Sequence, residues 1–163
     1  MTKRLMHDHA ELGDLLNQLI AALDANDVTR SHATLDLFWA RLAMHIRAEH
    51  LHLFPAVSHA PEAERTIEQL REDHDFFMRE LAQAIAVMRS LSANPAGHVV
   101  PPLEGVRAKI ALVKERLEKH NELEEKGIYL WTTNLSEADQ SDLAARVQKE
   151  LENMPARFRQ TGQ

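Results

Sequence analysis

The chain has 163 residues and no cysteine, with a formal charge of −6 and an isoelectric point near 5.9. The length sets a single domain as the default and is enough to bury a core without cross-links. The absence of cysteine excludes a disulfide framework, thiolate metal ligation and a cysteine nucleophile, and it fits a reducing compartment. The acidic balance argues against nucleic acid as a partner. No apolar run approaches the roughly 20 residues of a membrane span, and the N-terminus, MTKRLMHDHAEL, lacks the apolar core of a signal peptide. A cytoplasmic protein is the simplest expectation.

Five glycines and six prolines stand against many Ala, Leu, Glu, Arg and Gln residues, a helical composition. Ten histidines are the excess to be placed. A first helix is predicted over about Thr2–Asp24, with an apolar seam of Leu5, Leu12, Leu16, Leu19 and Leu23. His9 fills the one gap in that seam. His7 lies about 200° around the helix and should face outward. A polar turn, DANDV, follows.

The second helix is expected to begin near Thr29 or Ser31, either able to cap it, and to run to Pro55, which should close it. Its seam is Leu35, Phe38 and Leu42, continued by His45 and Glu49. After a short link, Pro61 is a candidate first residue of the third helix, which runs over about residues 62–90. The seam there is Ile67, Leu70, His74, Phe77, Leu81, Ala84 and Met88, with His74 its single ionisable member. Residues 92–102, SANPAGHVVPP, read as a loop. The fourth helix follows Pro102 with the seam Leu103, Val106, Ile110, Val113, Leu117, His120 and Glu124, and Gly127 is the expected cap. Tyr129, Leu130 and Trp131 should pack the bundle end. A shorter fifth helix is expected over about residues 136–153, opened by the capping pattern SEAD, and the last residues, ARFRQTGQ, are expected to fray.

Four amphipathic helices on short links predict an all-α, up-down-up-down four-helix bundle spanning about residues 2–131, plus the C-terminal helix. In that topology His9 and His74, early in their helices, share one end with His45, Glu49, His120 and Glu124, late in theirs. The 17 residues from His9 to Asn26 span about 26 Å of helix, and the corresponding stretches of the other helices are similar. All six should therefore meet at one level. Six ionisable groups in an apolar seam are costly unless a cation holds them. Four histidines and two carboxylates exceed the needs of one tetrahedral zinc. They suit two ions bridged by the glutamates, with an oxo or hydroxo bridge as a further ligand. Imidazole and carboxylate without thiolate favour iron or manganese. Glu125 competes with Glu124; the i, i+4 spacing from His120 keeps the face and favours Glu124.

The pieces HDHAEL, HIRAEHLHLFP, REDHDFF and HNELEEKGIYLW, in this order and each on a seam, resemble the hemerythrin-like family of HHE cation-binding domains over about residues 1–131. The resemblance implies a non-haem di-iron centre. His9 and His45 would bind one iron, His74 and His120 the other, and Glu49 and Glu124 would bridge. It implies an activity among reversible O2 binding, O2 or NO sensing, peroxide or NO chemistry, and iron-centre repair. Oxygen carriers of the family have a second histidine four residues after the one on the third helix; Met78 stands there here, so the site resembles the four-histidine branch. Repair-type relatives carry an N-terminal cysteine-bearing domain, and this chain begins at its first helix. The expected function is O2 or NO binding or sensing, with H2O2 a further candidate ligand. The alternatives are a di-iron redox enzyme and a helical interaction module stabilised by metal. His50, His52 and His59 are expected at the surface or behind the ligands. Phe38, Trp39, Phe77 and Met78 are expected in the core.

Overall fold

The computed structural model describes residues 2–94 and 100–159. Four long helices carry the architecture: α1 (Thr2–Asp24), α2 (Val28–Ala48), α4 (Ala63–Ala93) and α5 (Val100–Leu123). Each packs on its neighbours in sequence, and α5 closes the ring against α1, giving the expected all-α bundle. Every apolar seam residue named above is buried. Among the described residues, no helix is long and apolar enough to cross a membrane.

Two π-turns interrupt the bundle, Glu49–Leu53 after α2 and Glu124–Ile128 after α5. Each begins at the glutamate of a His-x3-Glu pair. In each, the peptide N–H five residues on donates to the glutamate carbonyl: Phe54 to Glu49 and Tyr129 to Glu124. These turns correct two expectations. Pro55 does not end its helix; the π-turn has already displaced the carbonyl ladder that a proline ring would strike, and the chain continues as α3 (Phe54–Val57). Gly127 is not a cap, since it lies inside the second π-turn with negative φ, and the helix resumes as α6 (Tyr129–Trp131).

Other boundaries also move. Asp27, not Thr29 or Ser31, caps α2 by accepting from the Arg30 N–H at 3.0 Å. The residue before it, Asn26, takes the left-handed conformation at φ 54° that lets α1 stop and α2 start at once. Pro61 lies in the turn ahead of α4, whose first residue is Ala63. The predicted loop at 92–102 is shorter at both ends: α4 reaches Ala93, and α5 starts at Val100 with two prolines in its first turn, where no N–H is missed. Residues 95–99 of that loop lie outside the described residues.

The fifth long helix, α7 (Glu137–Leu151), is capped by Ser136, which accepts from the Asp139 N–H at 3.1 Å, as the SEAD pattern predicts. Its buried stripe of Leu143, Val147 and Leu151 packs with Leu53, Val57 and Ile128 beneath the bundle. Glu150 on α7 accepts from Arg47 and stands 3.5 Å from His52, tying the helix to the first π-turn. Beyond it, residues 156–158 form a turn, and Arg157 pairs with Asp36 at 3.0 Å. That ion pair holds a segment expected to fray; residues 160–163 lie outside the described residues.

The buried side chains divide into two apolar clusters. One fills the bundle from Leu12, Leu42, Phe77 and Leu117 to the far end. The other joins Leu5, Phe54, Leu70 and Tyr129 to α7. A polar layer lies between them: His9, His45, Glu49, His74, His120 and Glu124, all buried.

Candidate metal centre

Helical spacing brings each pair to the layer. His45 and Glu49 share a face of α2, as His120 and Glu124 share a face of α5. α1 contributes His9 and α4 contributes His74. The structure brings all six predicted residues together, with ligating atoms forming two overlapping groups: His9, His45, Glu49 and Glu124, and Glu49, His74, His120 and Glu124. Both glutamates belong to both groups. Glu49 turns Oε1 to His45 Nε2 and Oε2 to His74 Nε2, each at 3.2 Å. Glu124 turns Oε2 to His9 Nε2 at 3.0 Å and Oε1 to His120 Nε2 at 2.9 Å.

The imidazoles face one another in pairs. His9 Nε2 and His45 Nε2 are 3.2 Å apart, and His74 Nε2 and His120 Nε2 are 3.1 Å apart. Behind each ring, Nδ1 has its own partner: Asp8 Oδ2 at 2.7 Å for His45, Asp73 Oδ2 at 3.1 Å for His120, Glu125 Oε1 at 2.9 Å for His9, and His50 Nε2 at 2.8 Å for His74. A carboxylate only accepts, so three of these Nδ1 atoms carry the hydrogen. In the neutral ring the facing Nε2 atoms are then bare lone pairs. Two lone pairs at 3.2 Å repel unless a cation lies between them. Two nitrogens about 2.1 Å from one ion and at a right angle would stand about 3.0 Å apart. Glu49 Oε2 and Glu124 Oε1 make no hydrogen bond although wholly buried. The donor set, the bare nitrogens and the orphaned oxygens fit metal cations.

Without a cation, protons take that place. Burial opposes charge on His120, but the Glu124 carboxylate and hydrogen bonds to Asp73 and Glu124 outweigh it and raise the imidazole to about 9. His45 is likewise buried and is raised well above its ordinary value by Glu49 and Asp8. Glu49 is desolvated, yet the charges of His45 and His74 and their hydrogen bonds hold it well below the carboxylate range. The sign for stability follows from His120. Its contribution to the metal-free protein is complete below its ordinary value of 6.5 and is lost as pH rises toward 9. A metal must displace the same protons, so its affinity rises through the same window. Thermal melts from pH 6.5 to 9 should therefore show the metal-free protein weakening and the gap to the loaded protein widening. A constant gap would contradict this.

The outer partners form a pattern absent from the sequence-level ligand set. Asp8 and Asp73 each immediately precede the lone seam histidine of their helix. Each sends one oxygen to the histidine of the next long helix and the other to an arginine: Asp8 to Arg41 at 3.1 Å, Asp73 to Arg116 at 2.7 Å. Burial pushes both carboxyls up, but the histidine and arginine contacts hold them below the ordinary value. The residue after each glutamate reaches across the bundle: His50 to His74, Glu125 to His9. Glu125 thus stands behind the layer, and Glu124 within it. The two halves, α1–α2 and α4–α5, match residue by residue in these contacts, which the faint echo of HIRAEHLHLFP in HNELEEKGIYLW announces. Orientation by such outer carboxylates is commonly worth about 10–100-fold in metal affinity. Asp73→Asn should weaken metal binding by that factor, read by competition with a chelator, while leaving helix content unchanged.

Tyr129 enters the layer as well. Its hydroxyl lies 2.9 Å from His9 Nε2, 3.2 Å from Glu124 Oε2 and 3.3 Å from Glu49 Oε1. Burial, then the charges of Glu124 and Glu49, raise the phenol well above its ordinary value. Phe54 is its counterpart in the other half, five residues after Glu49, with its ring nearly parallel to His74 at 6.0 Å. Of the remaining histidines, His7 and His59 are exposed and His52 is tied to Glu150. Met78, partly buried, packs on the apolar cluster.

No curated protein and no solved structure matches the chain. A family model does: the hemerythrin HHE cation-binding domain, over residues 1–131, which ends at α6 and leaves α7 outside. With that match over most of its length, and the buried histidine and glutamate groups where the motifs place them, the chain belongs to the hemerythrin HHE cation-binding domain family.

Proposed function

We propose that this chain is a non-haem di-iron protein that binds or senses O2 or NO, with His9 and His45 on one iron, His74 and His120 on the other, and Glu49 and Glu124 across both. The observation that carries this reading is the division of each glutamate's oxygens between the two imidazole pairs. A single ion would leave one pair and two oxygens unused. The donor set of imidazole and carboxylate suits iron, with manganese next and zinc less well matched. Two irons so held would supply reversible electron exchange and bind a small diatomic molecule.

The protein's own residues do the rest. Asp8 and Asp73 keep the His45 and His120 Nδ1 atoms protonated, so that Nε2 faces inward as a lone pair. Arg41 and Arg116 hold those carboxylates in turn. Phe54, Leu70 and Leu5 below and Phe77, Leu12 and Leu42 above form apolar walls that keep bulk water out. A surface cavity of about 590 Å³, lined by Ile67 and Arg71 among others, abuts Phe54, whose ring lies against His74. The cytoplasm is the setting we propose, on the cysteine-free composition.

The test is the optical spectrum of the iron-loaded, reduced protein before and after exposure to O2 or NO, and again after the gas is removed. Return to the starting spectrum is the expected result. Irreversible oxidation, or turnover of added H2O2 or NO, would replace this reading with a di-iron redox enzyme.

A further inference from the structure

The correspondence between the two halves is broken at the rings that border the polar layer. Five residues after each glutamate, the widened π-turn brings a ring to the edge of the polar layer: Phe54 after Glu49, Tyr129 after Glu124. The phenyl ring carries no donor atom. The phenol oxygen stands 2.9 Å from His9 Nε2, 3.2 Å from Glu124 Oε2 and 3.3 Å from Glu49 Oε1. The other members of that group have the same spacing among themselves: 3.2 Å from His9 Nε2 to His45 Nε2, 3.2 Å from His45 Nε2 to Glu49 Oε1, 3.0 Å from His9 Nε2 to Glu124 Oε2. Donors sharing one ion at about 2.1 Å, in adjacent positions at right angles, stand about 3.0 Å apart. By distance, the phenol oxygen belongs to the same set.

We propose that Tyr129 Oη is a fifth protein donor to the iron held by His9 and His45, leaving the iron held by His74 and His120, on the Phe54 side, as the one that takes an external ligand. This rests on the di-iron reading. Coordination breaks the phenol O–H bond, forms an oxygen–iron bond and releases the proton to solvent, as other ligands do on binding metal. The outer contacts agree with the asymmetry. The two imidazoles beside Tyr129, His45 and His9, are backed by carboxylates, Asp8 and Glu125, which favours the more highly charged ion. For the His74 and His120 pair one backing group is the imidazole of His50, and the surface cavity at Phe54 lies on this side. A plain hydrogen-bonding role for the phenol needs one acceptor; the hydroxyl instead stands among three inner donors.

Tyr129 is the only tyrosine in the chain, so the spectrum of the wild-type protein is decisive by itself. The full chain is loaded with ferrous iron, oxidised in air and examined by visible absorption, resonance Raman scattering and metal analysis. Expected are two irons per chain, a visible phenolate-to-iron(III) charge-transfer band and enhanced tyrosine ring modes. Tyr129→Phe should keep both irons, lose the band and bind a second azide where the wild type binds one. Phe54→Tyr should instead intensify the band and block azide. Two irons without phenolate modes in the wild type would overturn the proposal and leave the di-iron reading standing. Fewer than two ions would overturn both.

Discussion

Removing the metal should lower the melting temperature of this protein by on the order of 15–30 °C. A ligand present at about a thousand times its Kd stabilises the folded state by about 4 kcal/mol per site, so two sites contribute about 8 kcal/mol. For a chain of this size each kcal/mol shifts the melting temperature by about 2–4 °C. The physical source is the polar layer between the two apolar clusters. With ions bound, four imidazole lone pairs and four carboxylate oxygens are satisfied. Without them, the layer survives only as protonated His45 and His120 against buried carboxylates. Calorimetry before and after exhaustive chelation, with metal content measured on both samples, checks this. An unchanged melting temperature after the metal is gone would mean that the layer is self-sufficient.

Glu49→Gln should have the larger effect on metal binding, lowering affinity at one or both positions by more than about 100-fold, beyond what loss of an outer partner costs. Glu49 is wholly buried and presents one oxygen to each imidazole pair at 3.2 Å. Glutamine keeps the shape but offers one acceptor and one NH2 donor. Whichever way the amide turns, its hydrogens face one of the two pairs and repel the cation there. Metal retained after gel filtration should fall from two ions per chain to one or fewer, with the helical circular dichroism preserved. Glu122→Gln, on the same helical stretch as Glu124 but exposed, should retain both ions. Two tightly held ions in Glu49→Gln would show that the carboxylate does not bridge.

The four apolar seams and the six-residue layer were legible in the sequence because both depend on α-helical periodicity, and α1, α2, α4 and α5 keep that period down to the layer. What lies past the layer was not. In an α-helix, position i+5 is about 140° from position i, so Tyr129 reads as unrelated to Glu124 and Phe54 as unrelated to Glu49. The π-turn swings both back, and nothing in residue propensity announces a π-turn. For the same reason Pro55 read as a terminator and Gly127 as a cap. Asp8 and Asp73 were passed over because each sits one step off its seam, where a charged residue normally means a solvated face. Their shared position, directly ahead of the lone seam histidine on α1 and on α4, was the available signal. The choice between Glu124 and Glu125 followed from the i, i+4 rule because the π-turn begins only at Glu124. The cap of α2 was misplaced because the left-handed Asn26 shortens the turn to α1 by two or more residues.

The most direct test of the whole arrangement is metal content per chain combined with Mössbauer spectroscopy of the protein loaded with iron-57 and oxidised in air. Two irons per chain with a diamagnetic ground state, as two ferric ions coupled through a bridge would give, are expected. One ion per chain, or two irons that are magnetically independent, would contradict a centre in which Glu49 and Glu124 each join the two imidazole pairs.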